Sequence, residues 1–224
     1  MAFAIKDCAL AAIATGVRAH NLRELRDHLM TVHPGSIYYH FWGELLRPAF
    51  EIREYNNDFA NWARSAHGLH DEALAERLSV IDPTDFDDLE DLRQQVVEVS
   101  SDRLEESEKL RLSHADRPFM FIRSQIVIFD TYVTIEHPSQ LAAAAPLMTP
   151  SSIFFHVVDA RKRTKDRVDD FREWLMDYGD EFRPLIDRLA GLDPYFIPLT
   201  ELKEKIVNIF NGFFLSGGEN ERAA

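Results

Sequence analysis

The residues best suited to chemistry are a histidine and an arginine that occur together twice along the chain. His40 is followed seven residues later by Arg47, and His156 is followed seven residues later by Arg163. In a helix this spacing places both side chains on roughly one face, two turns apart. A guanidinium offers a planar set of donors, and an imidazole exchanges protons near neutral pH. All four residues are therefore candidates for binding a carboxylate or a phosphate.

Two aspartates form a secondary candidate set. Asp58 and Asp170 each begin an Asp-Phe-x-x-Trp block, and a pair of carboxylates could serve acid–base chemistry if both side chains turned inward. An aspartate is also a favoured N-cap, and the aromatic residues of the block suit a core. The histidines have a structural alternative too, as core residues satisfied by a carboxylate or a carbonyl. The sequence leaves both alternatives open.

The sequence predicts no metal site and no cofactor. His28, His33 and His40 are five and seven residues apart across a Pro-Gly break, which fits neither one helical face nor a recognised zinc spacing. The single cysteine, Cys8, lies in an apolar stretch and is expected to be a buried, inert thiol. The sequence also lacks a glycine-rich phosphate loop and a Gly-x-Ser-x-Gly elbow. Whether the chain is an enzyme stays undecided.

The sequence segments that must position these residues occur twice in the chain. The block Ser36–His40 recurs as Ser152–His156, and five other blocks recur in the same order. Such self-similarity predicts an internal tandem duplication, with halves related by a pseudo-twofold axis. We expect one globule with four segments: repeat one at 1–112, a linker at 113–117, repeat two at 118–215 and a disordered tail at 216–224.

Each repeat begins with an apolar stretch and continues with helical periodicity. Residues 119–129 suit a strand that turns at Asp130-Thr131, and residues 3–14 suit one that ends at Thr15-Gly16, although the alanines of the latter also allow a helix. We expect the two strands to pair. The predicted fold is α+β and dominated by helices, with an all-α fold as the alternative. Each repeat needs its twin to cover an apolar face, so neither half is expected to be stable alone.

The charge of the chain limits its partners. The 224 residues include 38 acidic and 25 basic side chains, for a net charge of −13. Such a field repels the phosphates of nucleic acid and an anionic membrane surface. One cysteine excludes an internal disulfide and fits a reducing compartment. We therefore expect an acidic, cytoplasmic protein that binds neither nucleic acid nor membrane, while its oligomeric state stays open.

An aromatic segment supports the expected function. Residues 37–46 are apolar on all sides, which places them either in the core or in an interface with a partner. We expect an accessory or binding protein that engages a protein partner or a small anionic metabolite. The alternative is an enzyme that acts on an anionic substrate through a His/Arg site shared by the two repeats.

The repeated blocks resemble an uncharacterised bacterial and archaeal family, domain of unknown function 5752. The resemblance covers nearly the whole chain and rests on Ser36–Phe41, Asn57–Trp62, Leu74–Leu78 and Ser152–His156 with Arg161 and Arg163. This family implies no established activity. The biochemical function therefore has to be argued from the residues themselves.

Overall fold

A two-stranded sheet and a set of helices make up the fold. The computed structural model describes residues 2–46, 54–108, 110 and 113–215. Two 17-residue strands, β1 (Phe3–Ala19) and β2 (Phe119–Ile135), pair in an antiparallel sheet. Helices account for 56% of the structure. The prediction of a helix-dominated α+β fold is thus confirmed, and the all-α alternative is wrong.

The chain divides into two compact units that share the strands. The continuous unit is Leu10–Gln125, and the split unit combines Met1–Ala9 with Ile126–Ala224. An antiparallel pair places the start of β1 beside the end of β2, so each strand contributes to both units. The unit boundaries therefore differ from the predicted repeats, which assign residues 1–9 to the first repeat. The predicted tail at 216–224 lies outside the described residues.

Five helices of the continuous unit have bounds that lie within the described residues. They are α1 (Leu22–Leu29), α2 (Pro34–Trp42), α3 (Asp58–Arg64), α4 (Glu72–Ser79) and α5 (Leu89–Glu106), with a 3₁₀ turn at Gly43–Leu46. Asn57 is the N-cap of α3, because its side chain accepts a hydrogen bond from the backbone of Ala60. The prediction that Asp58 is the cap is wrong by one residue. That shift leaves the Asp58 carboxylate available to another partner.

The helices of the split unit are shorter and less regular. They are α6 (Leu141–Ala144), α7 (Pro150–Ile153), α8 (Asp170–Met176), α9 (Arg183–Ala190) and α10 (Leu199–Phe214), with a π turn at Phe154–Val158 and 3₁₀ turns at Pro138–Gln140, Ala145–Leu147, Asp159–Lys162 and Gly179–Phe182. Asp169, and not Asp170, caps α8. Among the described residues, no helix combines the length and the apolar character that a membrane crossing requires.

Both strands continue past the positions where the sequence predicts turns. Gly16 and Tyr132 adopt positive φ values of 77° and 58°. Beside them, the Thr15 hydroxyl donates to the Phe121 carbonyl at 2.6 Å, and the Thr131 hydroxyl donates to the Ile5 carbonyl at 2.5 Å. The predicted turns are therefore irregularities of the β-bulge kind inside longer strands. At each bulge a threonine hydroxyl takes the place of a backbone donor, and the strand pairing continues beyond the bulge.

Each unit has an aromatic core that includes residues of a strand. In the continuous unit, Phe119 and Phe121 of β2 are buried with Phe41 and Phe59. In the split unit, the buried set includes Phe3 and Ile5 of β1 with Phe154, Phe171 and Phe210. The aromatic segment that begins at residue 37 lies in the first of these cores, since Tyr38 and Trp42 are only 5% and 6% exposed. These cores hold the candidate site residues.

Candidate functional site

His40 is a buried residue of α2 that joins a helix to a strand. Its Nδ1 lies 2.7 Å from Oδ2 of Asp58, and its Nε2 lies 3.1 Å from the backbone nitrogen of Ile122. An amide N–H can only donate, so Nε2 accepts and the ring hydrogen is on Nδ1, where it donates to the carboxylate. The imidazole thus ties α3 to β2. We call this set the His40 clamp.

His156 lies in the π turn and makes the same contacts in the split unit. Its Nδ1 lies 2.7 Å from Oδ2 of Asp170, and its Nε2 accepts the backbone N–H of Lys6 at 2.9 Å. It is 2% exposed, as is His40. This His156 clamp ties α8 to β1. π turns are frequent at functional sites, and this one carries the histidine.

Aromatic rings enclose both clamps. The Phe119 ring lies 4.6 Å from His40 and stacks on Phe59 at 5.1 Å, while the Phe3 ring lies 5.0 Å from His156 and stacks on Phe171 at 5.2 Å. Rings at this distance keep water from the imidazole. A hydrogen bond in such surroundings is stronger than one in water, and a missing partner is more costly.

Arg163 is held by groups of its own unit. Its Nε donates to Asp159 at 3.1 Å, and its Nη2 donates to Asp170 at 3.0 Å and to the Phe155 carbonyl at 2.9 Å. The guanidinium also lies 4.0 Å from the centre of the Phe155 ring. An anionic ligand would have to compete with two carboxylates. Arg47, the other predicted arginine, lies outside the described residues.

The predicted site residues of the split unit thus form one cluster. His156, Asp170 and Arg163 are connected through the Asp170 carboxylate, and Asp159 extends the cluster to Lys162 at 2.6 Å. In the continuous unit, His40 and Asp58 form the corresponding pair. Each carboxylate therefore serves its own histidine. The proposal that these residues bind a ligand stays a prediction.

Cys8 is a thiol that lies near the same cluster. The thiol donates to the Ser151 carbonyl at 3.3 Å and is buried. Burial, together with the carboxylates of Asp159 and Asp7, raises the pKa of Cys8 to about 12. The reactive thiolate is therefore scarce at neutral pH. The prediction of a buried thiol is confirmed, and its inertness stays a prediction.

The clamps share part of their geometry with a catalytic triad. An aspartate orients the histidine through Nδ1, as it does in a serine hydrolase. In a hydrolase Nε2 faces a nucleophilic hydroxyl, whereas here it faces a backbone N–H that has no nucleophilic atom to offer. In the part of the chain that the structure describes, no group of three or more His, Cys, Asp or Glu side chains is placed to hold a metal ion.

An exposed apolar segment of β2 is the surface that the sequence analysis missed. We define the β2 patch as the side chains of Val127, Ile128, Phe129, Tyr132 and Val133. Between 41% and 91% of each is exposed. The sequence feature that could have revealed this surface is the unbroken apolar run that begins at residue 126, because apolar and polar residues usually alternate in an exposed antiparallel strand.

Comparison with known proteins identifies a family and a similar structure. None of the curated proteins matches the chain. The chain is similar to the solved structure of OrfY from Thermoproteus tenax, at 25% identity over 94% of each chain and a TM-score of 0.79. The pattern of a family of unknown function, DUF5752, matches residues 1–211. Because that match spans most of the 224 residues, the protein belongs to the DUF5752 family.

Proposed function

We propose that the protein is a non-catalytic binding protein that engages a protein partner through the β2 patch. One observation carries this proposal. Of the twelve large apolar side chains that are exposed in the described residues, five lie within the seven residues from Val127 to Val133. Single exposed apolar residues are common on soluble proteins, whereas a cluster of them along one strand is typical of a contact surface.

The backbone of the same segment supports a protein as the partner. A two-stranded sheet leaves one edge of each strand unpaired, and such a pair is marginal in water without further cover. Apart from the pairing with β1, no backbone-to-backbone hydrogen bond is formed by residues 126–131 within the described ranges. Another polypeptide could satisfy these groups and cover the apolar side chains together. A small metabolite could not both pair with the strand backbone and cover the apolar side chains.

The clamps support binding over the enzymatic alternative. Both ring nitrogens of His40 and of His156 are engaged inside a core, so proton transfer to a substrate would first have to break a bond that holds a strand. Arg163 is similarly engaged by two carboxylates. The proposal therefore assigns these residues a structural role, and it assigns the binding role to the β2 patch.

The chain is further proposed to be an internal duplication. The same contacts occur in both units. Residues that hold equivalent positions in these contacts are 116 positions apart in the sequence, as His40 and His156 are, and Lys6 and Ile122. In each unit a strand amide bonds the histidine, and a strand phenylalanine stacks on a helix phenylalanine. The equivalent pairs are Phe3 and Phe119, Lys6 and Ile122, Thr15 and Thr131, and His40 and His156.

A cytoplasmic location with protein partners completes the proposal. The single cysteine is reduced and buried, which suits a reducing compartment. The net charge of −13 disfavours nucleic acid, and it leaves the uncharged β2 patch as the surface that a protein can approach.

An affinity-capture experiment tests the proposed function. The wild-type protein, Phe129→Asp and Val80→Asp are each immobilised and exposed to an extract of cells that express the chain. Val80 is a matched control, because it is 74% exposed and lies outside the β2 patch. We expect one protein to be retained in stoichiometric amount by wild type and by Val80→Asp, and about tenfold less by Phe129→Asp. Equal retention by all three proteins would refute the proposal.

A further inference from the structure

We infer that the partner of the β2 patch is a second copy of this chain, and that Tyr132 anchors the contact. This inference rests on the proposed function, since it names the occupant of the same surface. It is drawn from three independent observations: the strained backbone of Tyr132, the contrast in side-chain size between β1 and β2, and the uncharged stretch within each strand.

The backbone of Tyr132 is strained, and contacts within its own chain do not compensate for that strain. It adopts φ 58°, a left-handed conformation that is rare for a bulky residue. Its side chain is 91% exposed, so it gains almost no packing inside the chain. At the corresponding bulge of β1 the residue is Gly16, which adopts φ 77° without that cost. Strain of this kind clusters at ligand contacts, and tyrosine is enriched among interface hot spots.

The two strands carry side chains of contrasting size. Where β2 exposes Val127, Ile128 and Tyr132, the residues 116 positions earlier on β1 are Ala11, Ala12 and Gly16, and all three are exposed. A Cβ atom added to Gly16 would have no neighbour within 4 Å, so there is open space beside it. In a closed twofold dimer, the large β2 side chains of each copy could pack on the small β1 side chains of the other copy. The symmetry would form this contact twice.

The charge pattern favours a second copy over a charged partner. No charged residue occurs in residues 8–17 of β1 or in residues 124–129 of β2. Asp130, the one charged residue between Val127 and Val133, pairs with Lys6 at 2.8 Å. Two copies can therefore meet at neutral surfaces although each carries a net charge of −13. A strongly cationic or anionic partner would find no counter-charge there.

Sedimentation velocity of the full chain tests the inference. We expect wild type to form a dimer whose fraction rises with concentration, and we expect Tyr132→Gly to weaken the dimer by about tenfold or more in dissociation constant. The same substitution should raise the unfolding midpoint of the monomer, because it relieves the left-handed strain. If Tyr132 had only a structural role, Tyr132→Gly would weaken the dimer and would also lower the unfolding midpoint of the monomer. Val80→Ser, the matched control, should change neither.

The outcomes separate this inference from the proposed function. A wild-type protein that stays monomeric at every concentration overturns the second-copy inference, while selective loss of a different protein by Phe129→Asp in the capture experiment would still support the proposed function. A Tyr132→Gly protein that dimerises as tightly as wild type overturns the role of Tyr132. If Tyr132→Gly fails to fold, Tyr132→Asn replaces it, because asparagine tolerates the left-handed conformation.

Discussion

At the scale of single residues, the atom that faces Nε2 distinguishes His40 and His156 from catalytic histidines. Each imidazole is oriented by an aspartate at 2.7 Å, which is the first requirement of a general base. The second requirement is a proton donor that reacts, and a backbone amide does not react. The same pair of residue types can therefore serve catalysis or hold a strand in place, and the residue opposite the ring decides between them.

Arg163→Ala tests the structural role at this scale. The substitution removes the guanidinium from Asp159, whose side chain is only 4% exposed, and from Asp170. We expect the free energy of unfolding to fall by about 1–3 kcal/mol, because a largely buried carboxylate loses a cationic partner. Urea denaturation followed by circular dichroism measures the change.

Arg183→Ala is the matched control for that substitution. Its ion pair with Asp187 is 3.3 Å long, and both side chains are at least 65% exposed. We expect a change of about 0.5 kcal/mol or less. If Arg163→Ala were as stable as this control and lost affinity for an anion instead, the ligand-binding prediction for Arg163 would replace the structural one.

At the scale of elements, the strands depend on the clamps for their attachment to the helices. His40 holds β2 against α2 and α3, and His156 holds β1 against the π turn and α8. A histidine is suited to this task because it accepts at one nitrogen while it donates at the other. Each clamp therefore satisfies a strand amide and a carboxylate with one buried side chain.

A pair of histidine substitutions tests the clamps. His40→Leu removes the acceptor for the Ile122 amide, and His156→Leu removes the acceptor for the Lys6 amide. We expect each substitution to speed hydrogen exchange of its own strand amide by about tenfold or more, with a smaller effect on the other amide. Exchange measured amide by amide by NMR gives both values, so each variant is the control for the other. Equal acceleration at both amides would contradict two separate clamps.

At the scale of the whole molecule, each of the two strands is divided between the two units. The continuous unit takes Phe119 and Phe121 from β2, and the split unit takes Phe3 and Ile5 from β1. A cut between the predicted repeats therefore removes core residues from both units. This arrangement supplies a physical reason for the expectation that neither half is stable alone.

Two fragments of the chain test that expectation. Residues 1–112 lack Phe119, Phe121 and the Ile122 amide that bonds His40, whereas residues 10–125 retain all three. We expect 1–112 to melt without a cooperative transition, and we expect 10–125 to keep more helical signal and a sharper melt, both followed by circular dichroism. A cooperative, monomeric transition of fragment 1–112 would contradict the expectation that neither half is stable alone.

The sequence by itself determined the family, the α+β class and the histidines and aspartates that take part in the clamps. It did so because local periodicity and repeated blocks are properties of the chain order, and because His40, Asp58, His156 and Asp170 recur with their aromatic neighbours. The predicted caps were wrong by one residue, since Asn57 and Asp169 compete for the same orphan amides.

Only the tertiary structure decided what those residues contact. The hydrogen bonds of the clamps join residues 82 and 150 positions apart, and no local pattern specifies which strand amide meets which ring. The predicted turns became bulges because long strand pairing outweighed local turn preference. Exposure of the β2 patch likewise depends on which neighbours the fold supplies. An apolar strand has the same sequence whether it is covered or left open to a partner.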